Sequence, residues 1–203
     1  MFKTINNDRA YRKALSRVFI LHVIMFCIAF TAAIIGRSSS VLADSLDFIG
    51  DAMNYAVSML IVNRSIMVRS TIAITKAVTM LGFGLPVMIF SLIRVSEGSV
   101  PDYEVMTWAG VIGIISHLYC ISVLYKFRSG DSNRLSVWIC TINDLLSNII
   151  TLIASQMVRF TGSIIPDIVA ASVIVGIAII GAIVILKQAI QEIKIHKANK
   201  GYA

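Results

Sequence analysis

The sequence predicts an all-α integral membrane protein with six transmembrane helices and both termini in the cytoplasm. The first observation behind this prediction is composition, because 57% of the 203 residues are hydrophobic and only 14% are charged. A soluble domain has about 25% charged residues, and the mean hydropathy here is +0.83. The second observation is a series of six long apolar segments. The third is the uneven distribution of Lys and Arg among the segments that connect them.

Each of the six apolar segments approaches the ~20 residues that a helix needs to cross the hydrocarbon core of a bilayer. The first one resembles a secretory signal peptide, but its apolar run is too long and further spans follow it, so we interpret it as a helix. The segments are residues 15–35, 41–62, 71–92, 105–125, 135–158 and 166–186. The chain then divides into a basic N-terminal segment (1–14), a six-helix transmembrane domain (15–186) and a basic tail (187–203) that is too short for a soluble domain.

The distribution of positive charge predicts the orientation in the membrane. Fourteen Lys and Arg residues belong to the N-terminal segment and its edge, the connections between helices 2 and 3 and between helices 4 and 5, and the tail. The other side has three, namely Arg37, Arg94 and Arg159. Because cytoplasmic loops are enriched in Lys and Arg, both termini are predicted to be cytoplasmic. The net charge of +7 is therefore assigned to membrane topology, and nucleic acid is not an expected partner.

The second apolar segment contains three aspartates, which is unusual for a membrane helix. Asp44, Asp47 and Asp51 are spaced i, i+3 and i+7, so at ~100° per residue they occupy one narrow stripe. Carboxylates at membrane depth are costly and rarely face lipid, so they indicate a functional site. The alternative is a structural cluster of hydrogen bonds between helices.

The fifth apolar segment contains a second pair of candidate ligands. Cys140 and Asp144 are spaced i and i+4, and Asn148 continues the same helical face. Members of each pair, Asp47/Asp51 and Cys140/Asp144, differ by a rise of about 6 Å, which lets both reach one ion between the two helices. A cysteine in an apolar helix is often only a small hydrophobic residue, but its position one turn before Asp144 favours ligation. Four such ligands match the tetrahedral preference of zinc.

Three more polar residues inside the apolar segments are considered for a functional role. Lys76 is predicted to extend along helix 3 to the cytoplasmic surface, with an ion-pair or gating role as the alternative. His22 on helix 1 and His117 on helix 4 are predicted to be hydrogen-bond donors between helices. The alternative for both histidines is a path for protons or metal, since imidazole titrates near physiological pH.

Four further residues are assigned auxiliary roles. Asp44 is expected to lie near the outer face, within reach of water, and to interact favourably with the dipole at the start of helix 2. Asn54 and Asn148 are expected to orient the carboxylates. If Cys140 does not bind the ion, the fourth ligand is expected to be water or a neighbouring group, with Asn143 or a membrane histidine as the next candidates.

The two ligand segments resemble those of the cation diffusion facilitator family. SSSVLADSLDFIGDAMNY is similar to that family's second helix, approximately S-x-L-L-A-D-[AS]-[LV]-[HD]-x-x-x-D, with Asp47 and Asp51 at the positions of its ligand pair and Asp44 at the preceding Asp. CTINDLLSN resembles the pair [HD]-x-x-x-D of the fifth helix, with Cys140 in place of the usual His or Asp. The likeness covers the six-helix region, including Pro166-Asp167 at the start of helix 6.

The chain departs from that family in two ways. Members usually have a cytoplasmic ferredoxin-like domain after helix 6, which supports dimerisation and metal sensing, and the sequence ends before one. Many also have a His-rich loop between helices 4 and 5, whereas KFRSGDSNR contains no His. The expectation is therefore a short branch of the family. The resemblance also implies a homodimer, although the domain that usually secures the dimer is absent.

The function that the resemblance implies is export of a divalent transition metal from the cytoplasm in exchange for protons. We expect Zn²⁺ as the substrate, with Cd²⁺ and Co²⁺ as further substrates, and a location in the cytoplasmic (inner) membrane of a bacterium. No resident cofactor and no enzymatic activity are expected, and the absence of a Gly-rich phosphate loop argues against an ATPase.

Two alternative functions belong to other classes. One is a metal-dependent integral-membrane enzyme such as a phospholipid-head-group transferase, whose motif resembles D-x-x-D-G-x-x-A-R. Here Asp44-x-x-Asp47 is followed by Phe48-Ile49 without the Ala-Arg pair. The other is a non-transporting metal-binding subunit of a larger membrane complex.

Overall fold

The computed structural model describes residues 2–201 and the side chains of residues 8–82 and 84–198. The described chain is 91% helical and contains no strand. Six long helices follow one another, with a short 3₁₀ turn (Tyr125–Phe127) after the fourth. They are α1 (Phe2–Gly36), α2 (Ser39–Ile61), α3 (Ile66–Glu97), α4 (Tyr103–Leu124), α5 (Ser132–Thr161) and α6 (Ile165–Gly201).

Local capping residues set several of the helix boundaries. Four helices begin after a Ser or Asp whose side chain accepts a hydrogen bond from the first turn, which satisfies a donor that has no partner within the helix. These capping residues are Ser38, Ser65, Asp102 and Asp131. α3 and α5 end at Gly98 and Gly162, which have φ values of 64° and 59°, a left-handed conformation that glycine adopts without strain.

Membrane-type helices make up most of the structure. Five of the six are long and apolar enough to cross a membrane. α2 does not meet this criterion because of its three aspartates. Any stretch of 18 residues within α2 contains all three of them. Large apolar side chains cover the outside of the bundle, including Leu60, Leu92 and Phe160, as expected for a surface that faces lipid. The count of six spans and the cytoplasmic location of the termini stay predictions.

One end of the bundle, which we call the terminal end, brings together the starts of α1, α3 and α5 and the last part of α6. Arg134 on α5 pairs with Asp8 on α1 at 2.9 Å, and Arg69 on α3 pairs with Asp131. Glu192 on α6 accepts hydrogen bonds from the backbone N–H of Ser132 (2.7 Å) and its hydroxyl (2.6 Å). Three helices are thus tied to the start of α5.

The two segments predicted as basic extensions are continuous with the bundle. Residues 8–14 are part of α1, where Tyr11 is buried against Phe127 with ring centroids 5.2 Å apart. The predicted tail continues α6 for about four turns, to Gly201. Met1 and residues 202–203, the outermost parts of these two segments, lie outside the described residues.

The opposite end of the bundle is organised by Asp167 near the start of α6. Its carboxylate accepts hydrogen bonds from the hydroxyls of Ser38 (2.7 Å) and Ser40 (2.6 Å) and from the backbone N–H groups of Ser39 (2.6 Å) and Ser40 (3.0 Å). This carboxylate therefore caps α2 from a neighbouring helix. It also fixes the depth of the aspartate-bearing helix in the bundle.

Glycines allow several close contacts between helices. A Cβ at Gly113 on α4 would lie 1.6 Å from Oδ1 of Asn148, and one at Gly84 on α3 would lie 2.9 Å from Val175 of α6. Gly82, two residues earlier on α3, has open space around it.

Candidate functional site

A cavity of about 150 Å³ lies among α2, α3, α5 and α6. Its wall contains all four residues that the sequence predicts as ligands, namely Asp47, Asp51, Cys140 and Asp144. Asp51, Cys140 and Asp144 are 4–7% exposed, and Asp47 is half-buried. The i, i+4 spacing on each of two facing helices places both pairs at one cavity.

The cavity extends from Asp47 toward the terminal end of the bundle. Along α3, which begins at that end, its lining includes Ile72, Thr75, Lys76 and Thr79. A smaller cavity of about 20 Å³ lies farther along α3, at Gly84 and Val87, and Asp47 borders this one too. Asp47 therefore stands between a larger space toward one end and a smaller space toward the other.

Two histidines approach the same carboxylates from α1 and α4, outside the set of residues that line the cavity. His22 Nε2 lies 3.8 Å from Asp51 Oδ2, and His117 Nε2 lies 3.4 Å from Asp144 Oδ2. In the part of the chain that the structure describes, one group of three metal-ligating atoms lies within 4.8 Å of one another. It consists of His22, His117 and Asp144. The four ligands predicted from the sequence lie on one cavity wall but are farther apart than the members of this group.

Both histidines have hydrogen-bond contacts between helices, His22 Nε2 with the Tyr55 hydroxyl at 3.4 Å and His117 Nδ1 with the Asn148 amide at 3.3 Å, and both also bond within their own helix. Each Nδ1 bonds a backbone carbonyl of its own helix at 2.9 Å, His22 to Val18 and His117 to Gly113. The bond to the same helix leaves the other ring nitrogen directed at an aspartate. The positions support the alternative in which the histidines belong to the ion or proton path.

Tyr55 and Thr141 belong to the site although the sequence reasoning did not single them out. The Tyr55 hydroxyl donates to Asp51 Oδ2 at 2.7 Å and lies 3.1 Å from the Thr141 hydroxyl. Tyr55 follows Asp51 by one helical turn, so the i, i+4 rule that identifies the ligand pairs could also have identified it.

Lys76 does not extend to the surface, and the prediction that it does is wrong. Its ammonium group donates to the hydroxyl of Ser58 (2.7 Å) and to Oδ1 of Asn133 (2.6 Å), so it links α3 to α2 and α5. Both acceptors are buried, and hydrogen bonds to them offset the cost of burying the amine. Lys76 therefore brings its amine to the cavity wall.

Asp44 also differs from its predicted environment. Only 3% of its surface is exposed, and neither carboxylate oxygen has a hydrogen-bond partner among the described residues. α2 begins at Ser39, so Asp44 lies beyond the first turn, where the helix dipole has its main effect. Asp167 supplies the carboxylate at the helix start instead. Thr151 on α5 faces Asp44, and its hydroxyl is likewise without a partner.

The three asparagines differ in their relation to the site. Asn54 lines the cavity and its amide donates to Cys140 Sγ at 3.6 Å. Asn148 donates to the backbone oxygen of Asp144 at 2.7 Å and so supports the helix rather than the carboxylate. Asn143 packs against Gly181 of α6, where a Cβ would lie 2.3 Å from its amide nitrogen, and it is not among the residues that line the cavity.

No known protein family's sequence pattern matches the chain, and no curated protein sequence matches it.

Proposed function

We propose that the protein is a secondary transporter that exports a divalent transition metal, with Zn²⁺ as the main substrate, in exchange for protons. The observation that carries this proposal is the meeting of Asp47 and Asp51 of α2 with Cys140 and Asp144 of α5 on one cavity wall. Carboxylates and a thiol in that position form a donor set for zinc, cadmium or cobalt. The resemblance of these segments to the cation diffusion facilitator family adds support.

The coupling to protons follows from the charge of the site. Three ionised carboxylates close together in a low dielectric repel one another, so without metal the site holds protons. A divalent ion binds only as ligands lose their protons. Metal and protons therefore compete for the same groups, and each occupied state approaches neutrality. The amine of Lys76 lies on the same cavity wall.

The two cavities suggest how access alternates. The larger one extends toward the terminal end, which the distribution of Lys and Arg predicts to be cytoplasmic, so this conformation would receive metal from the cytoplasm. The smaller one at Gly84 and Val87 lies beyond Asp47, where a rearrangement of α3 and α6 against α2 would open a path to the other side. Alternation around one central site is the general mode of secondary transporters.

Zn²⁺ flux in proteoliposomes containing the purified chain alone tests this proposal. We expect flux with the wild-type protein and its loss with Asp47→Ala, Asp51→Ala or Asp144→Ala, because each change leaves an incomplete ligand set. Glu104→Ala, which removes an exposed carboxylate from the start of α4, is the matched control and should keep wild-type flux. Near-normal flux in Asp51→Ala would place the site elsewhere. Absence of flux in the wild-type protein would favour the enzyme or the metal-binding subunit.

A further inference from the structure

His22, His117 and Asp144 form a cluster on the side of α2 and α5 that faces α1 and α4. Their metal-ligating atoms lie within 4.8 Å of one another, and both histidine side chains are fully buried. The two imidazole rings are 5.3 Å apart between centroids and nearly perpendicular. Such an arrangement brings ring nitrogens from two different helices to one carboxylate.

The tautomer of each histidine follows from its backbone partner. A carbonyl oxygen can only accept a hydrogen bond, so the 2.9 Å contacts of Nδ1 with Val18 and Gly113 place the proton on Nδ1. Nε2 then presents a lone pair. The two Nε2 atoms are the ones that face Asp51 and Asp144.

The hydrogen bonding around the cluster is incomplete. His117 Nε2 and Asp144 Oδ2 are buried and have no hydrogen-bond partner among the described residues, although they are 3.4 Å apart. The Tyr55 hydroxyl, 3.4 Å from His22 Nε2, already donates to Asp51. Buried acceptors that face one another are unfavourable unless a proton or a metal cation lies between them.

We propose that His22, His117 and Asp144 form a second binding site for a divalent transition metal, connected to the cavity site through the carboxylate of Asp144. Asp144 borders both sites, since it also lines the cavity. Neutral imidazole and carboxylate are ligands that Zn²⁺ accepts, and three protein ligands leave one position for a further group. The proposal rests on the proposed function only for the identity of the ion.

Sharing Asp144 makes the two sites alternatives for one ion. Each site needs the carboxylate of Asp144 as a ligand, so we expect a single equivalent of ion to occupy one site at a time. The cavity site is rich in carboxylate and contains sulfur, while the second site is rich in nitrogen. The position of the ion can therefore be identified by the atoms that surround it.

Zn X-ray absorption spectroscopy on the full chain in lipid nanodiscs, loaded with one equivalent of Zn²⁺, tests this proposal. The chain has three histidines, so a His196→Asn background assigns any imidazole scattering to His22 or His117. Imidazole scattering is expected in this background. Adding Asp47→Asn and Cys140→Ser should shift the ion to the second site, with stronger imidazole scattering and no sulfur. Adding His22→Asn and His117→Asn should leave sulfur and no imidazole.

Asparagine is used at the histidine positions because its amide N–H can still donate to the carbonyl that Nδ1 contacts. If the proteins with these added substitutions do not fold, the spectrum of the His196→Asn protein decides alone. Bound Zn²⁺ without imidazole scattering in both the His196→Asn protein and its Asp47→Asn, Cys140→Ser derivative would overturn the second site and assign the histidines a proton instead, while measured Zn²⁺ flux would leave the proposed function standing. Imidazole scattering without flux would support the second site and reject the exporter. A chain that binds no Zn²⁺ would reject both.

Discussion

Cys140 is the residue that most influences which ions the cavity would select. Its sulfur lies on the cavity wall and accepts a hydrogen bond from Asn54 at 3.6 Å. A thiolate is a softer ligand than a carboxylate, so it favours Zn²⁺ and Cd²⁺ over Mn²⁺ and Mg²⁺. The contact with Asn54 orients the sulfur without occupying all of its lone pairs.

We therefore predict that Cys140→Ser lowers Cd²⁺ affinity more than Mn²⁺ affinity. Cys140→Asp should raise Mn²⁺ affinity relative to Cd²⁺ affinity. Calorimetric titration of the purified variants with both ions measures the ratio of the two affinities. Cys27→Ser is the control, because that cysteine is exposed on α1 and should leave the ratio unchanged. An unchanged ratio in Cys140→Ser would mean that the thiol only packs, in which case the fourth ligand would be another group.

Asp44 is a buried carboxylate whose oxygens have no partners among the described residues. We predict that Asp44→Asn keeps or raises the thermal unfolding temperature, since it removes an ionisable group whose burial is costly while keeping the shape of the side chain. We also expect it to retain metal affinity better than Asp47→Asn. Unfolding in detergent and Zn²⁺ titration of both variants measure these effects. Equal loss of affinity in the two would make Asp44 a direct ligand.

At the scale of elements, the start of α2 depends on a carboxylate supplied by α6. The Asp167 carboxylate accepts four hydrogen bonds from the serines at positions 38–40. Bonds to a charged group are stronger than those between neutral groups, and the burial of Asp167 removes competition from water. This contact determines the depth at which α2 presents Asp47 and Asp51 to α5.

Asp167→Ala should therefore destabilise the protein by about 3 kcal/mol, because it removes the acceptor for two backbone N–H groups and two hydroxyls in a buried place. Chemical or thermal unfolding measures the loss, and Asp44→Asn serves as the comparison in which a buried Asp without partners is changed. A stability equal to that of the wild type would show that α2 is positioned by its apolar contacts alone.

At the scale of the whole molecule, the exporter proposal requires that an opposing proton gradient drives metal movement. Metal affinity should rise with pH, since ligands must lose protons to bind. In proteoliposomes, an acidic compartment on the side that receives the metal should accelerate Zn²⁺ flux, and the reversed gradient should slow or invert it.

Fluorescent Zn²⁺ indicators inside the vesicles follow this flux, with a proton ionophore to collapse the gradient and vesicles without protein to subtract leakage. Collapse of the gradient should reduce accumulation to the level set by the metal gradient. Flux that does not depend on the direction of the pH gradient would indicate a uniporter.

Much of the helical architecture was predictable because it depends on local properties of the chain. Composition and apolar segment length predicted a helical membrane-type protein, and the i, i+4 spacing predicted which residues of α2 and α5 share a face. The cavity lined by all four predicted ligands agrees with that pattern, although its metal binding stays a prediction. Helix ends were less predictable, since polar residues before residue 15 and after residue 186 continue α1 and α6.

What the sequence determined by itself is periodicity: which residues lie together on one helix and how far each helix can reach. Only the tertiary structure decided which helices meet, and so it alone placed His22 and His117 against the aspartates, gave Lys76 its partners on α2 and α5, and joined Asp167 to the start of α2. These contacts connect residues far apart in the chain. Spacing within a helix follows from a fixed rise and rotation per residue, whereas contacts between helices depend on packing that no single segment encodes.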